Sequence, residues 1–327
     1  VSDAASHGGA RLVERSVTVE VPATSANLGA GFDALAIALD LVNTVRVDLA
    51  DAEAEPRVVV QVRGEGADRL PTDGTNRFVV VLEDALAEAG LPDARRAWRI
   101  EMENAIPVAR GLGSSAAATV AALTAADALL GGDAIPVERR LELATAAEGH
   151  ADNAAAAILG GVGVAGTVDG RPVALRIPAP PELRAALFIP ERPLSTAMMR
   201  EALPSHVPFA DAVHNVGAAA MAVAALALGR LDLLGPATVD RLHEPYRAAV
   251  YPELPEMVAA AREAGALGAC LSGAGSTIIA FCASDAEAGH VAAAMADRAA
   301  ALGLAGRALT SRPRDLGAIV VPAGRLS

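Results

Sequence analysis

The stretch Pro107-Val108-Ala109-Arg110-Gly111-Leu112-Gly113-Ser114-Ser115-Ala116-Ala117-Ala118 decides how this chain is read. It follows a strand-like segment, Trp98 to Ile106, and opens an Ala-rich run, Ser114 to Leu130, with high helix propensity and no Pro or Gly. The order is strand, glycine loop, helix start. Gly111 and Gly113 let the backbone turn tightly and approach a ligand. The first helical turn then offers unpaired N–H groups and a positive dipole end, which suit an anion such as phosphate.

The familiar phosphate loops do not account for this run. A Walker A loop needs a Lys before its Ser or Thr, and this chain has none: all 27 of its basic residues are Arg. Gly111 to Ala116 matches the letters of the dinucleotide pattern G-x-G-x-x-G/A. However, Pro107 to Arg110 separates the strand from the first Gly, and the distal acid, Asp133, sits in a Gly-Gly-Asp turn with no second strand before it. Close helix packing through small residues is the competing structural reading of the cluster.

At 327 residues the chain can bury a large core and supports two domains. Hydrophobic residues make up 53% and aromatics 2%, so the core should be aliphatic. No run of about 18 purely apolar residues occurs and no basic-then-apolar leader opens the chain, which reads as a soluble protein without a membrane partner. Cys270 and Cys282 match no metal-ligand spacing and read as buried thiols in a reducing, cytoplasmic setting. A net charge of −12 argues against non-specific binding to nucleic acid or anionic lipid. The absence of Lys removes Schiff bases and Lys general bases, leaving anions to Arg, helix N-termini and a divalent metal.

Along the chain, the first ~15 residues are small and polar and are expected to be disordered. Ser16 to Val21 reads as a strand, followed by the turn-rich Pro22 to Asp33 and an apolar stretch to Val47. Val58 to Val62 is another strand, Asp73 to Asn76 a turn that launches a helix from Arg77 to Ala89, and Val137 to about Glu148 a helix ending at Gly149. Pro178 to Pro181 marks a crossing into a second half, where Leu267 to Phe281 forms another strand with a glycine turn. The expected class is α+β with antiparallel sheets packed by helices, in two domains, 16–175 and 176–327.

Here the residues resemble a known family. Pro107 to Ala117 resembles the ATP-binding motif of the GHMP small-molecule kinases, and Leu271-Ser272-Gly273-Ala274-Gly275 resembles their C-terminal glycine motif. The block from Val21 to Asp33 is similar to the N-terminal signature of the homoserine kinases within that family, as are Glu148-Gly149-His150-Ala151-Asp152-Asn153 and Glu244-Pro245-Tyr246-Arg247. One departure is Ser276, where the family pattern leads one to expect Pro.

The resemblance implies transfer of a phosphoryl group from ATP, with Mg²⁺, to the hydroxyl of L-homoserine on the route to threonine. ATP contacts would come from Asn76 and from Pro107, Val108, Ala109, Arg110, Gly111, Leu112, Gly113, Ser114, Ser115, Ala116 and Ala117. Phosphoryl transfer needs positioning and a hard metal held by oxygen. Ser114 or Ser115 supplies a hydroxyl, Ser115 being assigned to the metal, and by resemblance Glu142 supplies the carboxylate. Read from spacing alone, Glu142 makes an ordinary i,i+4 row with Glu138.

An ammonium wants a carboxylate or amide, and the turn holding Asn27 and Asp33 has both. A carboxylate suits Arg forks, and the resemblance points to Arg200, on one helix face with Thr196, and to Arg247. It also places His150 and Asn153 near the substrate, with Asn153 orienting the hydroxyl and Asp152 structural, so that Asn153, Ser115, Glu142 and Arg247 carry catalysis without a dedicated strong base. A mevalonate-type kinase and a catalytically silent ATP or amino-acid binder are the alternatives. A homodimer is compatible with this reading.

Overall fold

The computed structural model describes residues 11–51, 53–91 and 96–322. Most of the N-terminal stretch expected to be disordered lies outside these residues. Its end does not: the N–H groups of Val13 and Glu14 both donate to Leu129 O, tying residues 11–15 to the end of a core helix.

The first half runs β1 (Ser16–Ala26), β2 (Leu35–Leu49), β3 (Val58–Gly64), α1 (Arg77–Glu88), β4 (Trp98–Asn104), α2 (Ser114–Leu129), α3 (Val137–Glu148), α4 (Asp152–Leu159), β5 (Val162–Val168) and β6 (Arg171–Ile177). The second runs β7 (Arg184–Pro190), α5 (Thr196–Glu201), α6 (Phe209–Leu228), α7 (Leu234–Ala237), α8 (Glu244–Arg247), α9 (Leu254–Glu263), β8 (Gly268–Leu271), β9 (Ile278–Cys282), α10 (Asp285–Ala301), β10 (Gly306–Ser311) and β11 (Ile319–Val321). The α+β class holds. Two sheets form, β11-β1-β2-β4-β3 extended by β5 and β6 from β2, and β10-β7-β9-β8. Their pairs are antiparallel except β3 with β4, which is parallel because α1 carries the chain across between them.

Two departures from the expected layout matter for the site. β1 continues past Val21 to Ala26, because the partner register jumps from Pro22↔Val42 to Ala23↔Leu39. Pro22 has no N–H to give the ladder, and the bulge in β2 lets pairing resume beyond it. The strand thereby delivers Asn27 directly to the site. The second departure is β11, which returns from the far end of the chain to pair with β1 through Thr18↔Val321 to Glu20↔Ile319.

α2 is the axle of the first half. Twelve of its residues are buried, from Ala116 round to Leu129, so no polar face exists and small side chains are the ones that fit on every side. Sheet residues Val19, Val21 and Ala23 of β1 and α1 residues Phe78 and Leu82 complete this core. α1 shows the ordinary amphipathic spacing, with Phe78, Val79, Leu82, Ala85 and Leu86 buried.

Cys270 and Cys282 are buried free thiols, as read. α6 is long and apolar enough to cross a membrane by length and composition, with mean hydropathy 1.4. Asn215, Ala218, Ala222, Ala225 and Leu226 on one of its faces are buried in the protein. Its other face leaves Phe209 83%, Val216 73% and Leu228 76% exposed.

The all-round burial of α2 generates a stability prediction. Ala125→Leu adds three carbons to a fully buried position and should cost about 1–3 kcal/mol by overpacking. A lowered urea midpoint at unchanged slope is the expected result; an unchanged midpoint would contradict the packing described.

Candidate active site

The glycine loop stands where three backbone segments meet. Leu112 O accepts from Thr24 N (3.1 Å), Arg110 O from Thr277 N (3.1 Å), and Gly111 O from Ser272 Oγ (2.6 Å). The approach is too close for side chains. A Cβ on Gly111 would lie 2.1 Å from Ser272 O, and one on Gly113 would lie 1.9 Å from Thr24 Oγ1. Both glycines also have positive φ, 76° and 69°. Gly113 caps α2 without any side-chain acceptor, so the N–H groups of the first turn remain free for a ligand.

These N–H groups open into a cavity of about 460 Å³. Val108 to Gly111 and Gly113 to Ala117 line it, together with Asn76. Leu112 does not: its side chain is fully buried in the core, and only its carbonyl serves the loop. Pro107 is buried behind the loop and is also outside the lining. Asn76 reaches the wall with its amide already engaged, accepting from Phe78 N (3.0 Å) as the cap of α1 and donating to Pro71 O (2.7 Å). Arg110 donates to Pro190 O (2.7 Å) and Glu191 O, which pins the loop to the end of β7.

The carboxylate beside Ser115 is Glu148, not Glu142. Glu148 Oε1 accepts from Ser115 Oγ (3.0 Å), Thr119 Oγ1 (3.2 Å) and the Arg77 guanidinium, and it lines the cavity. Glu142 lies on another side of α3, paired to Arg139 at 2.6 Å, and is not part of the lining. Six residues of helix turn the side chain through roughly 600°, or about two-thirds of a circle past its start, so the two carboxylates face different neighbours. Ser115 Oγ, Thr119 Oγ1 and the Glu148 carboxylate form an all-oxygen set, which fits a hard divalent cation such as Mg²⁺. Thr119, one turn after Ser115, was not singled out in the sequence.

At the other end of the cavity the expected substrate residues do come together. Asn27, at φ 73°, donates from Nδ2 to Gly273 O (2.9 Å) and accepts from Asp33 N (3.0 Å), which closes the 27–33 turn against the second half of the chain. Asp33 is held by both nitrogens of Arg200, at 2.7 and 3.0 Å. Arg200 and Thr196 share a face of α5, and both line the cavity. Arg247 is 2% exposed and donates to Gly273 O (2.9 Å) and Met199 O (3.3 Å). Burial, with Arg200 nearby, lowers its pKa to about 10, still charged at neutral pH.

His150 and Asp152 pair at 2.5 Å, and this hydrogen bond raises the imidazole pKa above its usual value. Asp152 and Asn153 begin α4, just after the end of α3. Asp152 Oδ1 also accepts the N–H of Asn153 (2.6 Å), so that oxygen is committed to local partners. Asn153 Oδ1 accepts from Thr24 Oγ1 (2.7 Å), and its Nδ2 gives one hydrogen to Asp152 Oδ1 (3.4 Å), so one N–H of the amide remains to donate toward the cavity. Thr24, fully buried, escaped the sequence reading although it lies inside the quoted 21–33 block.

Comparisons with known proteins agree with this geometry. Models for the GHMP kinases N terminal domain and the GHMP kinases C terminal region match residues 76–161 and 222–301. The chain is 43% identical over 265 residues to a homoserine kinase of Moorella thermoacetica, covering 81% of this chain and 86% of that one. With a homoserine kinase of Carboxydothermus hydrogenoformans it shares 39% identity over 303 residues, covering 93% and 96%. The crystal structure of homoserine kinase from Cytophaga hutchinsonii superposes with a TM-score of 0.82 at 30% identity, covering 95% of this chain and 99% of that one. With its glycine loop at one end of the cavity and its acid–arginine pair at the other, the chain belongs to the homoserine kinases of the GHMP kinase family.

Proposed function

We propose that the chain transfers the γ-phosphoryl group of ATP to the hydroxyl of L-homoserine, giving O-phospho-L-homoserine for threonine synthesis in the cytoplasm. One observation carries the reading: a single cavity joins free helix N-terminal N–H groups to a facing acid and guanidinium pair. The first end suits a polyphosphate, and the second suits the carboxylate and ammonium of an amino acid.

In this reading the α2 N-terminus and the loop backbone hold the phosphates, and Asp33 with Asn27 takes the ammonium. Arg200 and Arg247 take the carboxylate. Asn153 Nδ2 then orients the hydroxyl, its other side fixed by Thr24. Ser115, Thr119 and Glu148 would hold Mg²⁺, which would supply positive charge to neutralise the charge that develops on the transferring phosphoryl group. Arg77, already on Glu148, balances that carboxylate from the other side. Asp152 Oδ1 is engaged by His150 and Asn153, which suits a structural role for that carboxylate, and in this reading the hydroxyl attacks directly, the bond from the γ-phosphorus to ADP breaking as the new P–O bond forms and the proton leaving with the phosphoryl group or to water. The proposed division into two domains at 175/176 falls within β6, whose last residues, like the returning β11, stay with the first sheet.

The reading is tested by ADP release with Mg-ATP against L-homoserine, mevalonate and galactose. Release should depend on homoserine; equal or greater release with mevalonate would favour the mevalonate-type alternative, and none with any acceptor the silent binder.

We further propose that a second copy of this chain covers the outward face of α6. Phe209, Val213, Val216, Met221 and Leu228 are 83, 56, 73, 43 and 76% exposed, with Gly217, Ala220 and Ala224 between them and no charge on the stripe. Under an antiparallel two-fold, Phe209 meets the partner's Leu228, Val213 its Ala224 and Gly217 its Ala220, so large side chains pack at the two ends and small ones let the helices close in at the middle. The large side chains alone present on the order of 500 Å², and the alanines bring the face toward the roughly 800 Å² per partner of a standard interface.

Three outcomes follow from these assignments. Glu148→Gln should lower turnover about 100- to 1,000-fold with the melting temperature unchanged, whereas Glu142→Gln should change it less than about two-fold; the reverse order would restore Glu142 to the site. Gly113→Val should abolish ATP binding in calorimetry, since its side chain would be driven into Thr24; normal ATP affinity would refute the loop assignment. Val216→Arg should convert a dimer to a monomer in sedimentation velocity, and a wild-type chain that sediments as a monomer would refute the α6 interface.

A further inference from the structure

The two guanidiniums of the carboxylate clamp carry like charge and sit close together, 5.6 and 5.4 Å from one ring centroid; burial, and after it the charge of Arg200, lowers the pKa of Arg247. Something must hold them together. Arg200 has Asp33, while Arg247 has no carboxylate within hydrogen-bond reach among the described residues and relies on the carbonyls of Gly273 and Met199 and on His243.

His243 is fully buried. Its Nε2 lies 2.9 Å from Gly29 O and its Nδ1 lies 3.2 Å from Arg247 Nη1. A carbonyl can only accept and a guanidinium can only donate, so one tautomer satisfies both: Nε2 carries the proton and Nδ1 offers its lone pair. Burial lowers the imidazole pKa to about 4, consistent with a neutral ring at pH 7. The ring is itself seated from below. Asp240 accepts the backbone N–H groups of His243 (2.8 Å) and Glu244 (2.7 Å), and Asn215 joins Asp240 to Ala30 O. His243 therefore ties the Arg247 clamp to the backbone of the 27–33 turn.

Phe32 makes the second tie. Its ring lies 5.1 Å from that of His243, and the Cζ atoms of Arg200 and Arg247 lie 5.6 and 5.4 Å from its centroid. An aromatic ring attracts guanidinium charge, with a gain of roughly 0.5–2 kcal/mol per contact, and here one ring serves both. In a chain with 2% aromatic residues, this ring is placed between the two cations of one site.

We propose that Phe32 and His243 are positioning residues that hold Arg200 and Arg247 as one carboxylate-reading unit, in register with Asn27 and Asp33, and so set selectivity for an α-amino-acid carboxylate. The inference rests on the homoserine reading of the same cavity. Neither side chain needs to touch the substrate. Loss of either lets the two cations separate, which weakens recognition of the carboxylate while leaving the phosphate loop as it was.

The test compares kcat/KM for L-homoserine with that for 3-aminopropan-1-ol, which keeps the ammonium and hydroxyl and lacks the carboxylate. Wild-type, Phe32→Leu, Phe32→Tyr and His243→Gln enzymes are assayed, with ATP affinity measured by calorimetry. Phe32→Leu should raise the homoserine KM about tenfold or more and shrink the preference for homoserine by a similar factor. ATP affinity and melting temperature should stay put, and Phe32→Tyr, which keeps the ring, should restore the preference. His243→Gln should follow Phe32→Leu in the same direction. A Phe32→Leu enzyme with the wild-type preference overturns the proposal even if His243→Gln fails to fold. A wild-type enzyme that does not prefer homoserine overturns the underlying reading, and the proposal falls with it.

Discussion

The site depends on how closely three stretches of backbone approach one another. The 24–33 segment, the 108–113 loop and the 272–277 turn come from both sheets, and their carbonyls and N–H groups bond across the seam: Thr24 to Leu112, Gly273 to Ala26, Thr277 to Arg110. Gly111 and Gly113 permit that approach, since a Cβ on either would sit within about van der Waals overlap of the neighbouring oxygen. Once the seam is closed, the free N–H groups of α2 and the amide of Asn27 cannot be far apart. The cavity between them is a consequence of the seam rather than a separate feature.

Charge is distributed around the same seam. A chain at −12 without Lys must concentrate arginine wherever anions bind, and four of its arginines line the cavity: Arg77, Arg110, Arg200 and Arg247. Each is held differently, and the difference sorts their roles. Arg110 is occupied by backbone carbonyls and serves the loop, whereas Arg77 balances Glu148. Arg200 and Arg247 keep a side toward the cavity, one braced by Asp33 and the other by His243. Asp33 and Arg200 neutralise each other within the folded chain, which limits the desolvation cost of holding them in the cavity wall, whereas Arg247 is met by carbonyls and an imidazole.

Much of this was legible in the sequence where the signal is local. The loop and the start of α2 follow from two glycines, a preceding strand and an alanine run, and α3 from Val137 to Glu148 follows from its flanking Pro136 and Gly149. What does not show in the sequence depends on direction or distance in space. Glu142 and Glu148 lie on one helix, and spacing alone does not say which face meets Ser115; the block that begins at Glu148 held the signal, since it also carries His150 and Asn153. Thr24 was hidden because its partner Asn153 is far along the chain, and the same holds for Phe32 and His243. β11 is three residues long, and its return to β1 is fixed by tertiary pairing that no local pattern encodes.

The account's central claim is that the phosphate loop and the amino-acid clamp face each other in one cavity, in line for transfer. A bisubstrate compound, with adenosine 5′-polyphosphate joined to the side-chain oxygen of L-homoserine, measures this directly by inhibition kinetics. It should compete with both ATP and homoserine and bind at least about 100-fold more tightly than either substrate alone, as expected when two sites are engaged at once. Competition with ATP only, at an affinity no better than that of ATP, would contradict the claim.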